Sequence, residues 1–284
     1  MGRTICHARR AVLSPPPDQS AVSFDRAAEF YDETRRLPSE TAEELTELLV
    51  EEVAGQGACL EIGVGTGRIS LPLCRRGVTV LGIDISPAML RRLVDNAGGS
   101  APFPVLLADA TGIPAADGTV GRVLASHVLH LIPAWRDALD EIVRVLRPGG
   151  ALLADFGGNP TAPWSADTES VLRRHGVVRV RPGAPGPEAV AEHLGLSARP
   201  LRPLRFVQRR TLAQDVDDWE GQIFSWTWPY SPEQVRTACS AVRRWARGAG
   251  WRLEEEVELE RVIQWWAFDI SAAASTTHCQ TVGR

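Results

Sequence analysis

Between residues 58 and 156 short apolar runs recur with helical or loop stretches between them: ACLEIG, VTVLGID, VLLAD, VGRVLASHVL and ALLADF. Runs of this length bounded by Gly and Pro read as strands, and near-continuous apolarity reads as burial on both faces, so the pattern predicts βαβ units around a parallel sheet. The fold class is therefore α/β. Ser86 followed by Pro87 fits an N-cap with proline at the first helical position, opening a helix through Met89, Leu90 and Leu93. Pro133 to Leu146 predicts another, with Ala138, Ile142, Val145 and Leu146 facing inward, and RPGG at 147–150 reads as the turn back to a strand.

Upstream, Phe24, Ala27, Ala28 and Tyr31 share one face of a helix expected from Ala21, and Pro38 marks a break. A second helix is expected from Thr41, which with Glu44 fits a capping box; Leu45, Leu48, Leu49 and Val53 form its apolar stripe. Beyond 157 helical patterns lie near 165–175, 187–195, 214–222 and 231–248, with Pro and Gly dense over 181–187. WRLEEEVELERVIQWWAFDI then reads as one or two strands completing the sheet. The organisation expected is a flexible N-terminal tail (1–20), N-terminal lid helices (21–56), a cofactor-binding core (57–156), an inserted cap or substrate region (157–250), terminal strands (251–270) and a C-terminal tail (271–284).

Composition narrows the function. A length of 284 residues suits one elaborated domain. Net charge of −4 and pI near 5.9 lack the basic footprint of phosphate-backbone binding, so nucleic acid is not an expected partner. All 31 basic residues are Arg, which excludes a Gly-Lys-Ser/Thr phosphate loop. Cysteines at 6, 59, 74, 239 and 279 form no CxxC pair and no zinc spacing. That suggests a reducing, cytoplasmic setting and no metal. No apolar run reaches the ~20 residues of a membrane span. The 9 Trp stand against 2 Tyr, and most of them follow residue 218.

Glu61-Ile62-Gly63-Val64-Gly65-Thr66-Gly67 closes the first predicted strand and opens a helix, where a backbone approaches a ligand closely. The spacing is GxGxG; a dinucleotide fingerprint needs a third Gly where Arg68 stands. With the acid closing the second strand in GIDIS, then LLADATGIP, then RVLRPGGALL, residues 24–156 resemble a class I S-adenosylmethionine-dependent methyltransferase. The likeness is to the group that includes the ubiquinone and menaquinone methyltransferases and many small-molecule enzymes. It implies a Rossmann-like, doubly wound, seven-stranded, mostly parallel sheet with an inserted α-helical cap, and S-adenosyl-L-methionine as cofactor. Gly63, Gly65 and Gly67 would line its methionine and ribose part, with Glu61 near the amino-acid moiety. Asp84 would accept the ribose hydroxyls, Ile85 and Met89 would flank the adenine, and Asp109 would accept from the adenine amino group beside a backbone contact from Ala110. Asp109 could equally cap the following turn.

A sulfonium cofactor leaves the protein to align a small-molecule acceptor, apolar or aromatic by expectation, and to remove a proton. His127 and His130, after the fourth strand, are the candidate bases, His127 also as a cofactor contact; the competing reading is a buried, hydrogen-bonded histidine for each. Tyr31 resembles a lid aromatic closing over the cofactor, or packs with Phe24 and Ala27. Arg35 and Arg36 could steer an anionic acceptor or end a solvated helix. Trp226, Trp228 and Tyr230 in FSWTWPY are candidates for the acceptor pocket, with core packing as the alternative. A cofactor-binding module without catalysis is the rival function. Oligomeric state is not readable.

Overall fold

A computed structural model describes residues 23–157, 162–178 and 185–271. The readings for the two tails, and for most of the Pro- and Gly-dense stretch, lie outside the described residues. After a 3-10 turn at Asp25–Ala27 come α1 (Tyr31–Thr34), α2 (Ser39–Val53), β1 (Cys59–Ile62), α3 (Ser70–Arg75), β2 (Val80–Asp84), α4 (Pro87–Asn96), β3 (Val105–Leu107), β4 (Val120–Ser126), α5 (Trp135–Val145) and β5 (Leu146–Asp155). The second half holds α6 (Ser165–Arg174), α7 (Pro187–Leu194), β6 (Ala198–Pro200), β7 (Leu204–Arg210), α8 (Leu212–Glu220), α9 (Pro232–Gly248), β8 (Val257–Ile263) and β9 (Trp265–Asp269).

Seven strands form one sheet in the order β3-β2-β1-β4-β5-β9-β6. β1 to β5 pair in parallel, while β9 runs antiparallel to both β5 and β6. Side chains alternate faces along a strand. Val123 and Ala125 of β4 and Leu152 and Ala154 of β5 accordingly pack with α5 and α7 on one face. Leu124 and Leu153 pack with α2, α3 and α4 on the other. Both faces are covered, which is why these strands read as unbroken apolar runs.

Five expected strands are present, and Ser86 caps α4 by accepting from Met89 N. Several local readings need correction. RPGG is not a separate turn: β5 runs from Leu146, and the register jumps from Val120 opposite Leu146 to Arg122 opposite Ala151, so the sheet absorbs the glycines as an irregularity. Leu146 therefore opens a strand instead of closing a helix. The helix expected from Ala21 is broken into the 3-10 turn and the four-residue α1, because Asp25 and Asp32 are drawn separately to α4 and the glycine loop. Thr41 makes no cap; α2 starts at Ser39 behind an extended Pro38, which leaves Thr41 buried within the first turn. Capping boxes instead start α8, at Thr211 and Gln214, and α9, at Ser231 and Gln234.

The second half is more than helical. β6 forms an edge of the main sheet, and β7 pairs antiparallel with β8 in a separate two-stranded sheet. So β9 alone of the two terminal strands joins the main sheet. β7 escaped the sequence pattern because LRFVQRR carries three Arg and a Gln with no regular apolar alternation, on a half-exposed ribbon. α6, α8 and α9 build a third core of their own around Trp164, Leu172, Val216, Trp219, Val235 and Val242.

Candidate functional site

The carboxyl ends of β1, β2 and β4, the loop after β3 and the N-terminal segment border a cleft. Its lining includes Phe24, Tyr31, Gly63, Gly65, Asp84 and His127. Parallel sheets with crossovers on both faces leave their strand ends open at one edge, which is where ligands of such folds sit.

All three loop glycines have positive φ, at +64° for Gly63, +54° for Gly65 and +83° for Gly67. Two of them also make room for protein. A Cβ on Gly63 would stand 2.5 Å from Val128 Cγ2, and one on Gly67 would stand 2.8 Å from Leu71 Cγ. Gly65 is the one whose backbone serves the site: its N–H donates to Asp84 Oδ2 at 2.8 Å. Gly67 does not line the cleft.

Asp84 ends β2 and takes Ser86 N on Oδ1, also at 2.8 Å. A carboxylate offers about four acceptor sites, so each oxygen keeps capacity for a vicinal diol. Burial pushes its pKa up, against the backbone hydrogen bonds from Ser86 and Gly65 that favour the charge. Ile85 and the buried Met89 stand beside it in the cleft. Across the opening, Asp109 accepts Thr111 N and Thr111 Oγ1, each at 2.9 Å and both on Oδ1. It therefore caps its turn, and it lines the cleft alongside Ala110. The acceptors, the apolar wall and the glycine loop fit an adenosine-bearing cofactor.

Glu61 lies elsewhere. It is 2% exposed, absent from the cleft lining, and accepts a short hydrogen bond from Ser70 Oγ. Burial raises its pKa to about 8, opposed by the Ser70 bond and by Arg68. The buried carboxyl is held at the β1–α3 junction by Ser70 and does not line the cleft.

His127 is placed by an unusual backbone. Its φ is +51°, one of two positive values among the described non-glycine residues, and strain of this kind concentrates at functional sites. His127 N donates to Asp155 O at 3.1 Å, and its Nε2 lies 3.0 Å from Asp155 Oδ2. Gly157 N donates to Asp155 Oδ1 at 2.8 Å, and a Cβ on Gly157 would come within 3.0 Å of the imidazole. Asp155 is 7% exposed; burial would raise its pKa, yet the His127 hydrogen bond and charge outweigh it and hold it below the usual value of 3.8. Asp155 is a site residue the sequence reading missed, although it ends β5 as Asp84 ends β2. His130 sits in a 3-10 turn at Leu129–Leu131 and does not line the cleft, whereas Leu131, Ile132 and Pro133 do.

The N-terminal segment closes the opening. Phe24 and Tyr31 meet edge to face at 5.9 Å between centroids, so Tyr31 both packs and faces the cleft. Asp25 Oδ1 accepts Ser86 Oγ at 2.7 Å and Ala88 N at 3.0 Å. Asp32 accepts Thr66 Oγ1 at 2.5 Å and Asn96 Nδ2 at 2.8 Å. The FSWTWPY aromatics do not line the cleft. Trp226 packs 6.0 Å from Trp219 at the third core, and Tyr230 Oη bonds both backbone groups of Val178. Trp228 lies behind Phe24, at 4.8 Å, with the Arg26 guanidinium 5.1 Å over its ring. Phe24, which sequence spacing marked only as packing, is thus the aromatic nearest to the place expected of the tryptophans.

Residues 60–154 match the family profile described as "Methyltransferase domain". The chain is 34% identical over 158 residues to a demethylmenaquinone methyltransferase of Clavibacter sepedonicus, covering 54% of this chain and 64% of the relative. It is 33% identical over 161 residues to a demethylmenaquinone methyltransferase of Thermobifida fusca, covering 54% and 68% respectively. The matched region therefore spans about two thirds of these relatives' length. In fold, the chain is similar to the solved structure of BH2331 from Bacillus halodurans, described as a methyltransferase, with TM-score 0.54, 16% identity, and coverage of 81% of this chain and 99% of that one.

Proposed function

The chain belongs to the class I S-adenosylmethionine-dependent methyltransferases, and from that premise we propose that it transfers a methyl group to a small-molecule acceptor held beside His127. S-adenosylmethionine, when bound, supplies an electrophilic methyl on a sulfonium. The observation that carries the reading is the pairing, in one cleft, of Asp84 with acceptor capacity left on both oxygens and of His127 oriented by Asp155.

The residues divide the work. Asp84 would hold the ribose hydroxyls, and Ile85, Met89 and Ala110 would flank the adenine with Asp109 on its amino group. Gly63 and Gly65 would border the methionine part. His127 Nε2 faces Asp155, which favours a proton on that nitrogen and a lone pair on Nδ1. Such a nitrogen can take the proton that an acceptor oxygen, nitrogen or acidic carbon gives up. Phe24 and Tyr31 would exclude water. His130, off the cleft, is better placed to support the 129–131 turn than to act as base. Of the expected cap at 157–250, α6, α8 and α9 would serve as the cap above the site, while α7 and β6 belong to the main layers.

The test is incubation of the full chain with methyl-labelled S-adenosylmethionine and fractionated metabolite extracts. A labelled product that disappears with Asp84→Ala and His127→Ala is expected. Tight cofactor binding with no labelled product from any fraction would reject transfer in favour of a binding module.

A further inference from the structure

A second cleft opens between α1, α2 and α3 on the other side of the glycine loop. Its floor is apolar, with Leu37, Leu45, Leu49, Ile69 and Leu73. Its rim is not: Arg35, Arg36, Arg68, Arg75 and Arg76 all line it, against Asp32 and Glu43. Arginine identity carries no information in a chain whose basic residues are all Arg. Density does, because 5 of the 16 lining residues are Arg, nearly three times the frequency of 31 in 284.

The two acids are already engaged. Glu43 pairs with Arg76, and Asp32 is held by Thr66, Asn96 and the more distant Arg92. Among the described residues Arg35, Arg36, Arg68 and Arg75 make no ion pair with a carboxylate. Four guanidinium groups that pair with no carboxylate, set over an apolar floor, suit a ligand with a charged oxygen group and an apolar body.

This cleft adjoins the first at two points. Arg68 Nη2 donates to Ser126 Oγ at 3.1 Å, and Ser126 lines the first cleft beside His127. Arg35 lies 5.8 Å over the ring of Tyr31, which also lines that cleft, and 5.5 Å from the ring of Phe224. Resting on the methyl-transfer reading, we infer that the acceptor is an amphipathic anion, whose carboxylate or phosphate is held by the arginines of the second cleft while its reactive end reaches past Arg68 to His127.

The test titrates the full chain with dodecanoate, dodecyl phosphate and the neutral dodecyl maltoside, below their micelle-forming concentrations, with and without saturating S-adenosylhomocysteine. Both anions are expected to bind at least tenfold more tightly than the maltoside, and whichever binds better identifies the charged group. Arg36→Gln with Arg75→Gln, both exposed positions, should erase most of that preference and leave S-adenosylhomocysteine affinity within twofold. Equal binding of the neutral probe, or wild-type anion affinity in the double variant, overturns the inference. So does competition between S-adenosylhomocysteine and the anions, because the arginines would then hold the cofactor's own carboxylate. Failure of S-adenosylhomocysteine to bind the wild-type chain would instead reject the methyl-transfer reading itself.

Discussion

The Nε2 of His127 stands 3.0 Å from Oδ2 of Asp155, a contact that ties the tip of β4 to the tip of β5 at a histidine lining the cleft. The carboxylate is buried, and it takes Gly157 N on its other oxygen. Its pKa is held below 3.8, so its stabilising contribution is complete above about pH 4 and is lost as pH falls through the lowered folded-state value. Asp155→Asn should cost ~1 to 3 kcal/mol at pH 7, the usual range for a damaged buried hydrogen-bond network. The deficit relative to wild type should shrink on acidification below pH 4 in urea unfolding. Nitrogen NMR of His127 should show the Nε2-protonated tautomer in wild type and a mixed population in the variant. An unchanged tautomer would leave Asp155 with no positioning role.

Asp84 accepts from Gly65 N and Ser86 N, so removing its carboxylate deletes the ligand's acceptors and also releases two backbone donors of the glycine loop and the start of α4. Asp84→Ala should weaken S-adenosylhomocysteine by ~2 to 3 kcal/mol, about 30- to 150-fold. Calorimetry with an unchanged dissociation constant would contradict this.

Glu61 reports on pH from beneath the glycine loop. Its pKa in the folded chain is raised to about 8 by burial, so the protonated form favours folding. That contribution is fully present below its ordinary value near 4.5 and is lost as pH rises through about 8. Glu61→Gln should therefore gain stability relative to wild type between pH 5 and 9, by on the order of 2 to 4 kcal/mol. Parallel melting curves of the two proteins across that range would show that Glu61 stays charged.

Asp25 joins the N-terminal segment to the start of α4, accepting from the N-cap Ser86 hydroxyl and from Ala88 N. Burial opposes its charge, but the hydrogen bonds from Ser86 and Ala88 prevail and lower its pKa, so this anchor is present above about pH 4 and weakens below it. Asp25→Ala removes acceptors from a helix N-terminus, worth roughly 1 kcal/mol. Faster proteolysis within 23–38 and a several-fold faster release of S-adenosylhomocysteine are expected. Release at the wild-type rate would mean that the segment does not cover the ligand.

The pattern of residues determined the strands of the core, the Ser86 cap, the glycine loop and the acids at strand ends, because each follows from local geometry: a period of two, a cap at fixed offset, a backbone that needs no Cβ. Asp84, Gly65, Asp109 and His127 were singled out through the family resemblance, and all four line the cleft. Tertiary structure alone decided the rest. Glu61 and Gly67 flank the cleft-lining Gly63 and Gly65 in the chain yet stay off the cleft. Trp226 and Tyr230 were drawn into a third core by α6, α8 and α9, since large rings bury wherever apolar surface waits for them. The pairing of His127 with Asp155, and the gathering of five arginines from α1, α3 and their flanking loops, join positions far apart in the chain. No local periodicity encodes such meetings, because they depend on which strands lie side by side and on which helix ends the sheet brings to one edge.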